Sequence, residues 1–221
     1  MKEHPILFKG EMVQAILDGR KTQTRRIIPG EIHIHGSGRD FSGHWHKPRG
    51  GYLERHNEMV FRNVLGDYCP YGKPGDLLWV KQVFWQWGIY QDTYQMCKKL
   101  KRNKVRFTPT LPKDGREVLF KPTAIPPRDK FHFGYHKRSP LFMPKFFAQT
   151  WLKVKSVRVE RVQDISFQDA MAEGMKTQQA THAVPFFHSL WNEINKKRGY
   201  GWDVNPWVWV VEFEKVSYEM A

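Results

Sequence analysis

Cysteine is scarce: Cys69 and Cys97 are the only two in 221 residues. That excludes a disulfide-stapled secreted scaffold, and the fold must rest on an apolar core. No run of about 18 apolar residues occurs, so no membrane partner or spanning helix is expected. The opening residues, MKEHPILFKGEM, hold no apolar signal-peptide stretch. A reducing, cytoplasmic compartment is the expectation. Also missing are a Walker loop, a dinucleotide-binding glycine fingerprint and a Gly-x-Ser-x-Gly elbow. Nothing therefore requires ATP, NAD or another cofactor, or a serine triad. Acidic residues are in deficit, with 22 Asp and Glu against 36 Lys and Arg, a formal +14. A folded chain this basic usually meets a polyanion, most commonly nucleic acid. The plainer alternative is a protein kept soluble by its charge.

What is present is a globular composition, 40% hydrophobic and 14% aromatic. HPILFKG predicts a short opening strand. GEMVQAILDG predicts a helix, with Met12, Val13, Ile16 and Leu17 on one face and Gly19 as its C-terminal stop. The basic stretch GRKTQTRRI then continues as a strand. Ideal alternation sends Lys21, Gln23 and Arg25 one way and Thr22, Thr24 and Arg26 the other. A turn or bulge at Gly19-Arg20 would be needed to bring Lys21 and Thr24 together.

From Pro29 to about residue 66 the chain is rich in Gly, His and charge, and reads as a long loop or a poorly packed excursion with room for a hairpin. Pro74-Gly75 marks a turn before a buried strand at Leu77 to Val80. Residues 85–140 form a second, proline-broken excursion. SPLFMPKFFAQ reads as a proline-flanked turn or short helix. WLKVKSVRVERV reads as a long strand whose alternation slips, which predicts a bulge near Ser156. DISFQDAMAEG predicts a short helix with Ser166 as N-cap, Asp169 in a capping box and Gly174 at its end. VPFFHSLWNEINKKRG predicts a helix with Pro185 in its first turn, and WVWVVEFEKV a central final strand. Together these give a single α+β domain over 1–221, built around a small barrel and carrying insertions at about 29–66 and 85–140.

Four separated segments, ILDGRKTQTRR, KPGDLLWV, VRVERVQDISFQDAMAEG and WVWVVEFEKV, resemble the ASCH domain in order and content. The resemblance covers roughly half of the chain and is greatest to the long ASCH proteins of phages and prophages. It implies a PUA-like β-barrel and binding of RNA or a modified nucleoside. One bacterial branch of that family consists of amidohydrolases that deacetylate N4-acetylcytidine with a lysine, a threonine and a glutamate. By motif these fall on Lys21, Thr24 and Glu173.

The trio has its own chemical logic. Amide hydrolysis needs a nucleophile, a proton shuttle and a group to hold the oxyanion. A threonine hydroxyl needs a base within hydrogen-bond reach. A lysine serves as that base only if burial or neighbouring cations lower its pKa, and a glutamate can relay the proton or orient water. The structural alternative makes Lys21, Arg20, Arg25 and Arg26 a phosphate-binding face, with Glu173 paired to an arginine.

Other nucleic-acid contacts are expected from KKLKRNKVRF, six cations in ten residues that include Lys98, Lys99, Lys101 and Arg102, beside the aromatic WQWGIY. Lys145 is a further phosphate candidate. The pairs His33-x-His35 and His44-x-His46 lie in one segment, but no carboxylate or cysteine joins them at a familiar zinc spacing, so no metal is expected. The leading expectation is a protein that binds RNA, single-stranded DNA or a modified nucleoside in a basic cleft. The alternatives are an amidohydrolase, a nuclease (both hydrolases) and an interaction protein that blocks a host factor. No feature fixes the oligomeric state.

Overall fold

A computed structural model describes residues 1–35, 42–47, 52–97, 102–110, 118–120, 129–176 and 180–217. They form a mixed α+β protein in two compact units. The first comprises Met1–Ile6, Glu11–Val80 and Thr150–Ala221; the second comprises Leu7–Gly10 and Lys81–Gln149.

In the first unit, β1 (Glu3–Leu7), β2 (Gln23–Ile27), β6 (Leu77–Lys81), β11 (Trp151–Arg161) and β12 (Trp207–Val216) form one sheet in the order β1-β6-β11-β12-β2. The run from Trp207 to Val211 is buried throughout, which only a central strand packed on both faces allows. Its partners are antiparallel, with Val210 opposite both Arg25 and Arg158. The ladder with β11 slips between Val154 and Ser156. This is the bulge that the broken alternation predicts. Among the described residues the sheet is open, with β1 and β2 at its edges. No closed barrel is formed among the described residues.

Among the described residues four helices accompany these strands: α1 (Gly10–Leu17), α2 (Glu58–Asp67), α3 (Phe167–Ala172) and α4 (Ala180–Asn195). Val208 and Val210 pack with Val162, Ala170, Phe187 and Trp191 in one apolar cluster. Phe61 and Leu65 of α2 are fully buried, and Trp209 Nε1 donates to the Leu65 carbonyl at 2.9 Å. α4 begins earlier than its sequence signals suggest, and Pro185 lies inside it. Gly199, at φ +84°, ends the short 3-10 turn that follows.

The 29–66 stretch is more ordered than a loop. β3 (Glu31–His35), β4 (Ser42–His46) and β5 (Tyr52–Arg55) make a three-stranded antiparallel sheet, followed by α2 with Asn57 as N-cap. The alternation failed as a signal because these strands are largely exposed. Trp45 and Leu53 are their buried apolar anchors.

The second unit holds β7 (Phe84–Cys97), β8 (Arg102–Pro109), β9 (Val118–Leu119) and β10 (Gly134–Arg138), with β7 pairing all three others. The expected 85–140 excursion therefore carries a sheet of its own. Two 3-10 turns, Pro140–Phe142 and Lys145–Phe147, follow it. No helix among the described residues is long and apolar enough to cross a membrane.

Candidate functional site

Helix α1 ends in a Schellman turn. Gly19 takes φ +75°, its N–H donates to the Ile16 carbonyl, and the Arg20 N–H donates to the Ala15 carbonyl at 2.9 Å. The Lys21 N–H reaches the same Ala15 carbonyl at 3.0 Å, so the chain leaves the helix in a fixed direction. Lys21 then forms an isolated antiparallel bridge with Glu173, and the Thr22 N–H donates to the Ala172 carbonyl at 2.8 Å. α3 is held at its other end by the reciprocal Ser166–Asp169 capping box. The backbone of the α1–β2 turn is thus stitched to the last turn of α3.

This stitching brings two of the three motif residues together. Lys21 Nζ lies 2.6 Å from Glu173 Oε2 and 3.0 Å from the Glu173 carbonyl, with both side chains buried. Arg25 extends the contact: Nη1 is 3.5 Å from Glu173 Oε1, and Nη2 is 3.0 Å from Glu160 Oε2 and 3.2 Å from Asp169 Oδ2. Its guanidinium also stands 5.8 Å from the Phe187 ring centroid. Arg158 bridges Glu160, Asp169 and Glu212. The result is a chain of alternating charge: Lys21, Glu173, Arg25, then Glu160 and Asp169, then Arg158 and Glu212.

Thr24 is not in it. It pairs with Val211 in the regular ladder between Gln23 and Arg25, so its side chain leaves β2 on the face opposite theirs. Gln23 Nε2 donates to the Asp169 carbonyl at 3.1 Å, and Arg25 reaches the carboxylates on that same side. The Gly19-Arg20 turn exists, but it orients Lys21 toward Glu173 and leaves Thr24 in strand phase.

Electrostatics follow burial. Burial pushes the Lys21 ammonium below the ordinary lysine range; Glu173 opposes the shift, and Arg26 and Arg25 reinforce it. For Asp169, burial works upward, but hydrogen bonds from Ser166 and the charges of Arg25 and Arg158 together outweigh it and hold the carboxyl low. Arg158 is held above its usual value because Glu160, Asp169 and Glu212 together exceed the cost of its burial.

The remaining cations of the basic strand are also engaged. Arg20 donates to the Gly174 carbonyl at 2.9 Å and pairs with Asp18 at 2.8 Å. The Arg26 guanidinium stands 5.6 Å from the Tyr71 ring centroid, and burial lowers its pKa. Lys98, Lys99 and Lys101 lie outside the described residues, as does the side chain of Arg102. Lys145 is exposed in the second unit. His33 faces His44 across β3 and β4, and among the described residues no three His, Cys, Asp or Glu are grouped to hold a metal. Cys69 is a buried free thiol. A cavity of about 510 Å³ opens in the first unit beside α2, lined by Asn57, Arg62, Val157, Arg158 and Val159 among others.

Sequence reasoning missed Glu160, Arg158 and Glu212, and read Asp169 only as a cap. The alternation Arg158-x-Glu160 was visible, but the β11 bulge hides which face it joins. Comparison with protein-family models, curated proteins and solved structures gives no match. The ASCH-type resemblance therefore rests on its motif residues.

Proposed function

We propose that the protein binds nucleic acid, with its second unit supplying the electrostatic surface. One observation carries this: the charge is partitioned. The second unit holds 16 Lys and Arg against 4 Asp and Glu, a formal +12; the first holds 20 against 18, a formal +2. In the first unit, the motif cations Lys21 and Arg25 are paired with carboxylates. In the second, Lys and Arg outnumber Asp and Glu four to one, and phosphates are the natural counter-charge to that excess.

The test is fluorescence anisotropy with a labelled 20-nucleotide RNA or single-stranded DNA across 50 to 200 mM salt. Affinity should fall steeply. Replacing exposed Lys104, Arg106, Lys137 and Lys145 by Gln should weaken binding and flatten the salt slope by about one per lost phosphate contact. Replacing exposed Lys153, Lys155, Lys196 and Lys197 of the first unit should do much less. Absence of binding at low salt would end the nucleic-acid reading.

A second reading, hydrolysis of an N4-acylated cytidine, is favoured by the 2.6 Å convergence of Lys21 and Glu173 and by the lowered lysine pKa. Here Lys21 is the base and Glu173 the proton relay. Because Thr24 faces away, a water molecule would serve as nucleophile, and the buried Lys21–Glu173 pair would have to open to admit it and the nucleoside. Incubation with N4-acetylcytidine, followed by chromatography for cytidine, decides it. No turnover removes the hydrolase.

A further inference from the structure

Residues 140 to 147 read Pro-Leu-Phe-Met, Pro-Lys-Phe-Phe: a Pro-x-Phe pattern that occurs twice, four residues apart. Each copy opens a 3-10 turn beside its proline. Pro140 is the first residue of its turn and Pro144 the N-cap of the next, and the fixed φ of proline suits the start of a turn. The fourth position of each copy points inward. Met143 is 2% exposed, and Phe147 packs on the fully buried Phe84 with ring centroids 6.1 Å apart. The third position of each copy points outward: Phe142 is 66% exposed and Phe146 is 59% exposed. Leu141, at 70%, stands beside them.

Isolated exposed apolar side chains are ordinary, but a repeated, anchored display of them marks an interaction site. The anchoring is thorough. Ser139 caps the first turn, Lys81 Nζ donates to the Leu141 carbonyl at 2.8 Å, and the Gln82 N–H approaches Met143 Sδ at 3.4 Å. These contacts fix the first turn, and in the second the Phe146 ring rests against Phe147 with centroids 4.1 Å apart, so both exposed rings are held at little further entropic cost on binding.

The chemistry around the rings selects the occupant. The Arg138 guanidinium lies 5.2 Å from the Phe142 centroid and 4.0 Å from that of Phe107. Lys137 and Lys145 are exposed on the same unit, which carries +12. Flat apolar faces interleaved with cations match flat bases on an anionic backbone. An apolar peptide would need no such charge, and a paired duplex offers no free base face.

We infer that Phe142 and Phe146 form a stacking platform for unpaired bases, so that the protein prefers single-stranded nucleic acid over duplex. This rests on the nucleic-acid reading above and narrows it. The test compares wild type with the double variant Phe142→Ala/Phe146→Ala, on labelled U20, A20 and a 20-base-pair duplex at one salt concentration. Both rings are exposed, so the variant should keep its circular dichroism spectrum and melting temperature.

The expected result is a 10- to 100-fold loss of affinity for the single strands, the scale of one or two stacked bases. Duplex affinity and the salt slope should stay unchanged. A 2-aminopurine placed in the strand should be perturbed by wild type and not by the variant. If wild type binds with a steep salt slope but the variant loses nothing, or loses strand and duplex equally, the platform is wrong and the electrostatic reading survives. If wild type binds no nucleic acid at low salt, both fall. Vesicles of phosphatidylserine and phosphatidylcholine provide a last arm. Flotation of wild type but not of the variant, with single-strand binding retained by the variant, would assign the rings to a lipid surface and overturn the proposal.

Discussion

Glu173 Oε2 lies 2.6 Å from Lys21 Nζ, 152 residues apart in the chain and shut away from solvent. A buried ion pair is expensive to assemble, because both charges must leave water. Here the expense is shared. Arg25 contacts the second oxygen of Glu173, and Glu160 and Asp169 in turn neutralise Arg25. The pair is therefore one end of a charge ladder that fixes α3 against the edge strand β2.

Double-mutant measurements in urea should expose the coupling. Lys21→Met should cost roughly 2 to 4 kcal/mol, because Glu173 keeps only the longer contact to Arg25. Glu173→Gln should cost less, about 1 to 3 kcal/mol, since a lysine whose pKa is already lowered can shed its proton. The double variant should lose at least about 1 kcal/mol less than the sum of the two single losses. Strict additivity would mean that the two charges do not stabilise each other.

Stability against pH should carry two opposite signatures. The Asp169 carboxyl lies below its ordinary 3.8 in the folded protein, so its contribution is complete above that value and is lost as pH falls through the folded pKa. The advantage of wild type over Asp169→Asn should therefore shrink on acidification below about pH 4. Lys21 works the other way. Its folded pKa is depressed below 10.5, so between the two values the unfolded chain binds more protons and stability rises with pH. Relative to Lys21→Met, wild type should gain on the approach to pH 10.5. A flat difference on the alkaline side would contradict the burial of a charged lysine.

Much of the strand and helix plan was legible because local chemistry agreed with the fold. Gly19, Ser166, Asp169 and Gly174 occupy the cap and turn positions that their residue types announce. The slip in the alternation of β11 announced its bulge. The three-stranded sheet at β3 to β5 was not legible, since strands built from His, Gly and Glu with one solvent-exposed face carry little apolar rhythm. The convergence of Lys21 and Glu173 came from motif resemblance rather than periodicity. The position of Thr24 followed from strand alternation, which outweighed the motif. The carboxylate partners of Arg25 depend on the register of β2, β12 and β11, and no local pattern encodes that.

Cys69 should behave as an inert thiol. Burial pushes its pKa up to about 11, and it is shielded from solvent. In a Cys97→Ser background, a disulfide reagent at pH 8 should leave the folded protein almost unlabelled and modify one thiol on denaturation. Rapid labelling under native conditions would place Cys69 in a segment that opens easily.

Two glycines separate backbone strain from steric contact at the site. Gly19 has φ +75° and open space where a Cβ would stand. Gly19→Ala should therefore cost only the left-handed penalty, about 1 to 2 kcal/mol. Gly174 has φ +96°, and a Cβ there would meet Lys21 Cβ at 3.0 Å and Ala15 Cβ at 3.1 Å. Gly174→Ala carries the same backbone penalty and must also displace the stem of Lys21, whose ammonium is held by Glu173 on the adjoining residue. A total of about 2 to 4 kcal/mol is expected. The displacement also has a signature that strain alone lacks: the coupling between Lys21→Met and Glu173→Gln should diminish in the Gly174→Ala background. Equal costs at the two glycines, with that coupling intact, would mean that the contact between Gly174 and Lys21 gives way freely and does not position the lysine.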